Sequence, residues 1–190
     1  MKNIYYIVLL LLLVFSGCTK KNTENIETTS LKDSLTTYLS KANDFNSTNK
    51  KRQEYIQKAF TIIIEQEDDS LQRGNLFRVA NRYYNLRDWN KYRDIAQIVL
   101  EKALNSKDTL STAKAYSYLG DYYGAQCISD TAFLYYYKAE KMYLKQSSNL
   151  DLAKTRLNKA MLQYNESDFL GSEISALNAL RVLKGEKANE

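Results

Sequence analysis

The chain of 190 residues has no histidine and no proline, only six glycines, and two cysteines. Lack of histidine removes the commonest general base and metal-ligating side chain. No glycine-rich phosphate loop and no serine nucleophile elbow occurs. Carboxylates are present, but none pairs with another functional group at a spacing that calls for catalysis. The reading is therefore non-enzymatic, with no cofactor and no metal. Glu65, Glu67, Asp68 and Asp69 crowd one bend. A calcium loop would need oxygen ligands around a proper turn, so these acids read as a solvated loop with a helix N-cap. Sheets with tight turns usually need more glycine and proline than this chain has, which leaves helices.

Charge of one sign is also scarce: 27 basic side chains face 22 acidic ones, for a net charge of +5. The excess is spread along the chain, whereas nucleic-acid readers cluster their lysines and arginines. The densest run, Asn49-Lys50-Lys51-Arg52, reads as a solvated helix start, so no nucleic-acid partner is expected.

The longest apolar run, Ile4 to Phe15, has 12 residues and follows a single cation, Lys2. A spanning helix needs roughly 20, so this run has the length of a secretory h-region. The small pair Ser16-Gly17 precedes Cys18. This arrangement resembles a bacterial lipoprotein signal, in which the cysteine is acylated and becomes the new N-terminus. An ordinary signal peptide cut nearby, or an uncleaved anchor, is the alternative. Residues 1–17 are then the signal and 18–30, polar and without helical periodicity, a flexible tether. The expected location is the bacterial cell envelope, lipid-anchored through Cys18, in the periplasm or on the cell surface. Cys127 is left without an intramolecular partner and, lying in a turn between helices, reads as a small filler.

What the chain has in abundance is tyrosine, 16 residues, often in runs such as Tyr83-Tyr84, Tyr122-Tyr123 and Tyr135-Tyr136-Tyr137. On adjacent helical positions one ring faces inward while its neighbour points elsewhere, and the phenol can still reach water. Apolar residues recur at helical spacing: Leu31, Leu35, Tyr38, Leu39 and Ala42, then Tyr55, Ile56, Ala59, Phe60 and Ile63. Leu76, Ala80, Tyr83 and Tyr84 form the next helix, with Trp89 to Lys102 as its partner. Asp108 and Asp151 precede helical patterns and read as N-caps.

The centre of the chain, Ala113 to Ala139, reads as two amphipathic helices joined by a short turn. Tyr116, Leu119, Gly120, Tyr123, Ala132, Tyr136 and Ala139 set its pattern of large and small residues. The pattern recurs at 40-residue steps: Ala80, Gly120 and Ala160; Ala96, Tyr136 and Ala176; Val99, Ala139 and Ala179. Asp88-Trp89 and Asp168-Phe169 sit at equivalent turns. This resembles the tetratricopeptide repeat, a helix–turn–helix unit of about 34 residues. The six extra residues are expected to lengthen the second helix or the inter-repeat loop. The fold expected is all-α, a solenoid of stacked antiparallel helical hairpins over 31–190, with repeats near 33–66, 73–106, 113–146 and 153–186.

The resemblance implies a concave surface that binds a peptide or protein segment. The family's groove positions fall here on Asn81, Tyr84, Asn85, Lys114, Asp121, Tyr164 and Asn165. The expectation is a membrane-anchored, non-catalytic interaction or scaffold module. LGDYY at 119–123 and YNESDFLGSEISALNALRVLK at 164–184 also resemble the extracytoplasmic repeats of Bacteroidetes sensor kinases and transcriptional regulators. The alternative is therefore the N-terminal sensory domain of a two-component histidine kinase or DNA-binding regulator. The last helix, Ser167 to Lys184, is expected to leave an apolar face uncapped, through which the chain would self-associate.

Overall fold

A computed structural model of the chain describes residues 33–185. The signal, Cys18, the tether and Leu31 lie outside the described residues. Among those described, every regular element is helical: α1 (33–41), α2 (Asn49–Ile64), α3 (Ser70–Asn85), α4 (Trp89–Asn105), α5 (Thr109–Ala125), α6 (Ser129–Gln146), α7 (Asn149–Asn165) and α8 (Phe169–Leu183). Each helix packs on the next in sequence, and the first helices of successive hairpins also touch, α3 on α5 and α5 on α7. The architecture is an all-α solenoid of helical hairpins.

The junctions explain the spacing. Arg87, Lys107, Cys127, Ser147 and Ser167 all have φ between 53° and 65°, in the left-handed region. They fall every 20 residues. At each, the amide of the next residue reaches back five positions: Asp88 to Tyr83, Asp108 to Ala103, Ile128 to Tyr123, Ser148 to Tyr143 and Asp168 to Gln163, at 2.8–3.1 Å. This is the Schellman closure, which satisfies carbonyls that a helix end leaves free. The residue that closes one helix is immediately followed by the cap of the next. Asp69, Asp88, Asp108 and Asp168 accept from Gln72, Lys91, Ser111 and Gly171 amides at 2.6, 3.2, 3.0 and 2.9 Å. The 40-residue repeat is thus two equal halves. From α3 onward, the length beyond about 34 residues lies in both helices, and the loop between hairpins is as short as the turn within them.

Several sequence expectations are corrected by this rhythm. Asp151 is not an N-cap but lies in the first turn of α7, because Ser148 takes the cap position directly after Ser147. The Ser148 hydroxyl donates to Asp151 Oδ2 at 2.8 Å. Cys127 fills nothing: it is exposed and occupies the left-handed closing position. Arg52 is buried rather than solvated, with Nε donating to the Ala42 carbonyl at 3.1 Å. The acidic bend resolves into the Asp69 cap and an ion pair from Asp68 to Arg73 at 2.7 Å. Arg73 also reaches Asp108 at 3.1 Å and so ties one hairpin to the next.

One apolar cluster runs from Leu35 through Ile56, Leu76, Tyr92 and Val99 to Leu119. Two smaller ones follow, around Tyr143 and Leu152, and around Tyr136 and Leu162. Gly120 lets α6 approach α5: a Cβ there would lie 2.6 Å from two ring carbons of Tyr136. Two tyrosine runs divide as their spacing predicts, with Tyr83 and Tyr136 buried while Tyr84 and Tyr137 are exposed; Tyr122 and Tyr123 are both half-buried. On α8, Leu177, Leu180 and Leu183 are about half exposed, whereas Glu140 and Tyr143, which precede Leu180 and Leu183 by one repeat, are buried.

Candidate functional site

The first helices α3, α5 and α7 lie side by side, so residues one repeat apart line a shared face. At its centre is Asp121 of α5. Its Oδ2 accepts from the Tyr92 hydroxyl at 2.9 Å, and its Oδ1 accepts from the Tyr136 hydroxyl at 2.9 Å and from Asn158 Nδ2 at 2.8 Å. Burial disfavours the carboxylate and raises its pKa to about 6, against the pull of those three donors. The same burial, with the Asp121 charge nearby, drives Tyr92 and Tyr136 well above the ordinary phenol value.

The aromatic side of this floor is rigid. Tyr92 stacks on Tyr118 with ring centres 5.1 Å apart, and Tyr84 meets Trp89 and Tyr92 edge-on at 5.1 and 5.4 Å. Tyr118 donates to Asn81 Oδ1 at 3.0 Å. Lys114 lies over the Phe77 ring at 4.7 Å. Its pKa is lowered, chiefly by burial.

Two adjoining concavities share Asp121 and Asn158. The larger, about 300 Å³, is lined by Asn81, Lys114, Ser117, Asp151 and Lys154 among others. The smaller, about 180 Å³, adds Tyr84, Trp89, Met161 and Asn165. The structure therefore brings Asn81, Lys114 and Asp121 around one hollow, and Tyr84, Asp121 and Asn165 around the next. Asn85 and Tyr164 line neither. Asn85 is exposed as the last residue of α3, and the Tyr164 ring packs edge-on against Phe169 at 5.3 Å.

Sequence reasoning missed Asn158, Tyr92 and Trp89 as parts of this site. Trp89 and Tyr92 belong to a second helix but reach across to the face of the first. Asn158 stands where the earlier repeats carry Tyr118 and Arg78, so no periodic signal marks it. Among the described residues, no group of three or more cysteines and carboxylates is placed to hold a metal ion, and no helix is long and apolar enough to cross a membrane.

No family model matches the sequence, and no match is found among curated proteins or solved structures.

Proposed function

We propose that the chain is a lipid-anchored, non-catalytic interaction module of the tetratricopeptide-repeat type, which holds an extended peptide or protein segment along α3, α5 and α7. The observation that carries this reading is the pair of adjoining hollows around Asp121 and Asn158. Their rims carry the side-chain amides of Asn81 on α3 and Asn165 on α7, which can pair with the donors and acceptors of a peptide backbone. Their floor is held by the Tyr92, Tyr136 and Asn158 bonds to Asp121, so little ordering remains to oppose binding. Attachment through acylated Cys18 is part of the same reading, and two or more acyl chains give a firm anchor.

The test selects peptides from a random display library on the full chain, alongside the variants Lys154→Glu and Asn165→Ala. The result expected is an enriched peptide motif whose binding drops in both variants while their far-ultraviolet dichroism is unchanged. Failure to enrich any motif, or binding indifferent to both substitutions, removes the groove reading. The anchor is checked by alkynyl-palmitate labelling in a bacterial host, which Cys18→Ser should abolish.

A further inference from the structure

On the side of the solenoid away from the peptide groove, clefts form between neighbouring second helices, each floored by the first helix between them. Their filling can be compared in the 40-residue register. Over α3 the four register positions hold Leu76, Val79, Ile95 and Ile98, all packed in one apolar cluster. Over α5 they hold Tyr116, Leu119, Tyr135 and Lys138. There the Tyr116 and Tyr135 rings lie 5.9 Å apart, with Lys138 Nζ 5.4 and 5.3 Å from their centres. Over α7 the same positions hold Arg156, Lys159, Ser175 and Asn178. The two rings are gone, and a cavity of about 500 Å³ opens between α6 and α8.

The polar groups in this cavity are unusual for their burial. Arg156 is only 5% exposed and Glu140 9%. Lys159 donates to Glu140 Oε1 at 2.7 Å, but Arg156 Nε reaches Glu140 Oε2 only at 3.4 Å, and its Nη1 reaches the Asn178 carbonyl at 3.4 Å. Charge-assisted bonds of this kind usually measure about 2.7–2.9 Å. A buried guanidinium is thus held by long contacts, and Arg156 and Lys159 share a single carboxylate, while Lys141 lines the cavity over the Tyr137 ring at 5.0 Å. Tyr137 and Leu144 supply apolar wall. The volume falls within the roughly 300–1,000 Å³ typical of small-molecule sites, which combine apolar walls with a few placed polar groups.

We infer that the cleft between α6 and α8 is a binding site for a small aromatic carboxylate. Its ring takes the space that Tyr135 fills one repeat earlier, beside Tyr137. Its carboxylate meets Arg156 and Lys159, satisfying the positive charge that Glu140 leaves over. The site is separate from the peptide groove and does not depend on it: Arg156 and Lys159 lie on the face of α7 opposite Lys154 and Asn158.

The test titrates the full chain, in detergent, with 3-phenylpropanoate, using calorimetry and saturation-transfer NMR. Acetate and neutral 3-phenylpropanamide are the comparison probes. The result expected is saturable binding of the carboxylate, weakened at least about tenfold for the amide, which lacks the charge. Lys159→Met, at the partly exposed rim, should weaken carboxylate binding by a similar factor while the far-ultraviolet dichroism is unchanged. Ser175→Tyr, which restores the ring of the preceding repeat, should abolish it. No saturable binding up to about 10 mM, equal binding of acid and amide, or binding unchanged in Lys159→Met overturns the assignment. If Ser175→Tyr does not fold, Lys159→Met alone decides.

Discussion

Gly120 and Gly74 both sit inside first helices, and the structure gives them opposite fates on replacement by alanine. At an unconstrained helix position this change is favourable by up to about 1 kcal/mol, because glycine loses more backbone entropy on folding. A Cβ on Gly74 meets nothing within 4 Å. Gly74→Ala should therefore stabilise by about 0.5–1 kcal/mol. A Cβ on Gly120 lies 2.6 Å from Tyr136 Cδ1 and Cε1 and 3.1 Å from Cγ, where carbon atoms pack best at about 3.5–4.0 Å. The ring cannot swing away freely, since Tyr136 is 3% exposed and its hydroxyl is bonded to Asp121 at 2.9 Å. Overpacking of this kind costs about 1–3 kcal/mol, and stretching a bond to a charged acceptor adds to it. The net expectation for Gly120→Ala is a loss of about 1–2 kcal/mol. Urea unfolding of the full chain and both variants measures the two values on one scale. A third variant, Tyr136→Phe, frees the far end of the ring, so Gly120→Ala should cost less in that background. Stabilisation by Gly120→Ala equal to that of Gly74→Ala would refute the close approach of α5 and α6.

Two further perturbations test other levels of the argument. Arg87, Lys107 and Cys127 hold the left-handed closing position, which costs a non-glycine residue about 1–2 kcal/mol. Replacing each by glycine should raise the urea midpoint by an equivalent of about 0.5–1 kcal/mol, nearly additively because the turns are well separated; a lowered midpoint would mean that the turns close differently. Asp121 has a folded pKa of about 6 against an ordinary 3.8, so the folded state binds its proton more tightly than the unfolded one. That contribution is complete below the unfolded value and is lost as pH rises through about 6, a component of at most about 3 kcal/mol. Asp121→Asn keeps the shape and should remove this component, so its stability relative to the parent improves from about pH 4 to pH 7. A parent stability that rises through this window relative to the variant would show the three donors outweighing burial.

The hairpin order was legible because packing repeats through side chains. Ala80, Gly120 and Ala160 recur where two helices touch, and that recurrence survives changes elsewhere. The 20-residue half-period was not legible in the same way. Its marker is a backbone conformation, and Arg87, Lys107, Cys127, Ser147 and Ser167 share no side-chain property. The aspartates at 88, 108 and 168 show part of it, but Ile128 and Ser148 interrupt the series. Asp151 misled for that reason: a carboxylate beside a helical pattern suits the first turn as well as the cap. Asn81, Lys114 and Asp121, the positions the resemblance implies, border one hollow because α3, α5 and α7 flank one another there. Tyr164 repeats the Tyr84 position and forms the same ring pair across the turn, with Phe169 in place of Trp89. Yet Tyr84 borders a hollow completed by α7, whereas among the described residues no following first helix stands beside Tyr164.

Backbone regularity and side-chain divergence point to a division of labour along the solenoid. The turns repeat every 20 residues from Arg87 to Ser167, so the scaffold from α3 to α8 is uniform. The filling is not. The large apolar cluster extends from Leu35 to Leu119, while the last two hairpins share only the small clusters around Tyr143 and Tyr136. Repeat proteins hold together through nearest-neighbour interfaces, so each interface can trade apolar area for polar chemistry without disturbing distant ones. That trade is visible on both faces of α7. Asn158 replaces a tyrosine to bind Asp121 on one side, and Arg156 replaces a tyrosine to meet Glu140 on the other. Buried charge gives up stability that apolar filling would supply, so the cleft over α7 holds its chain less firmly than the apolar one over α3.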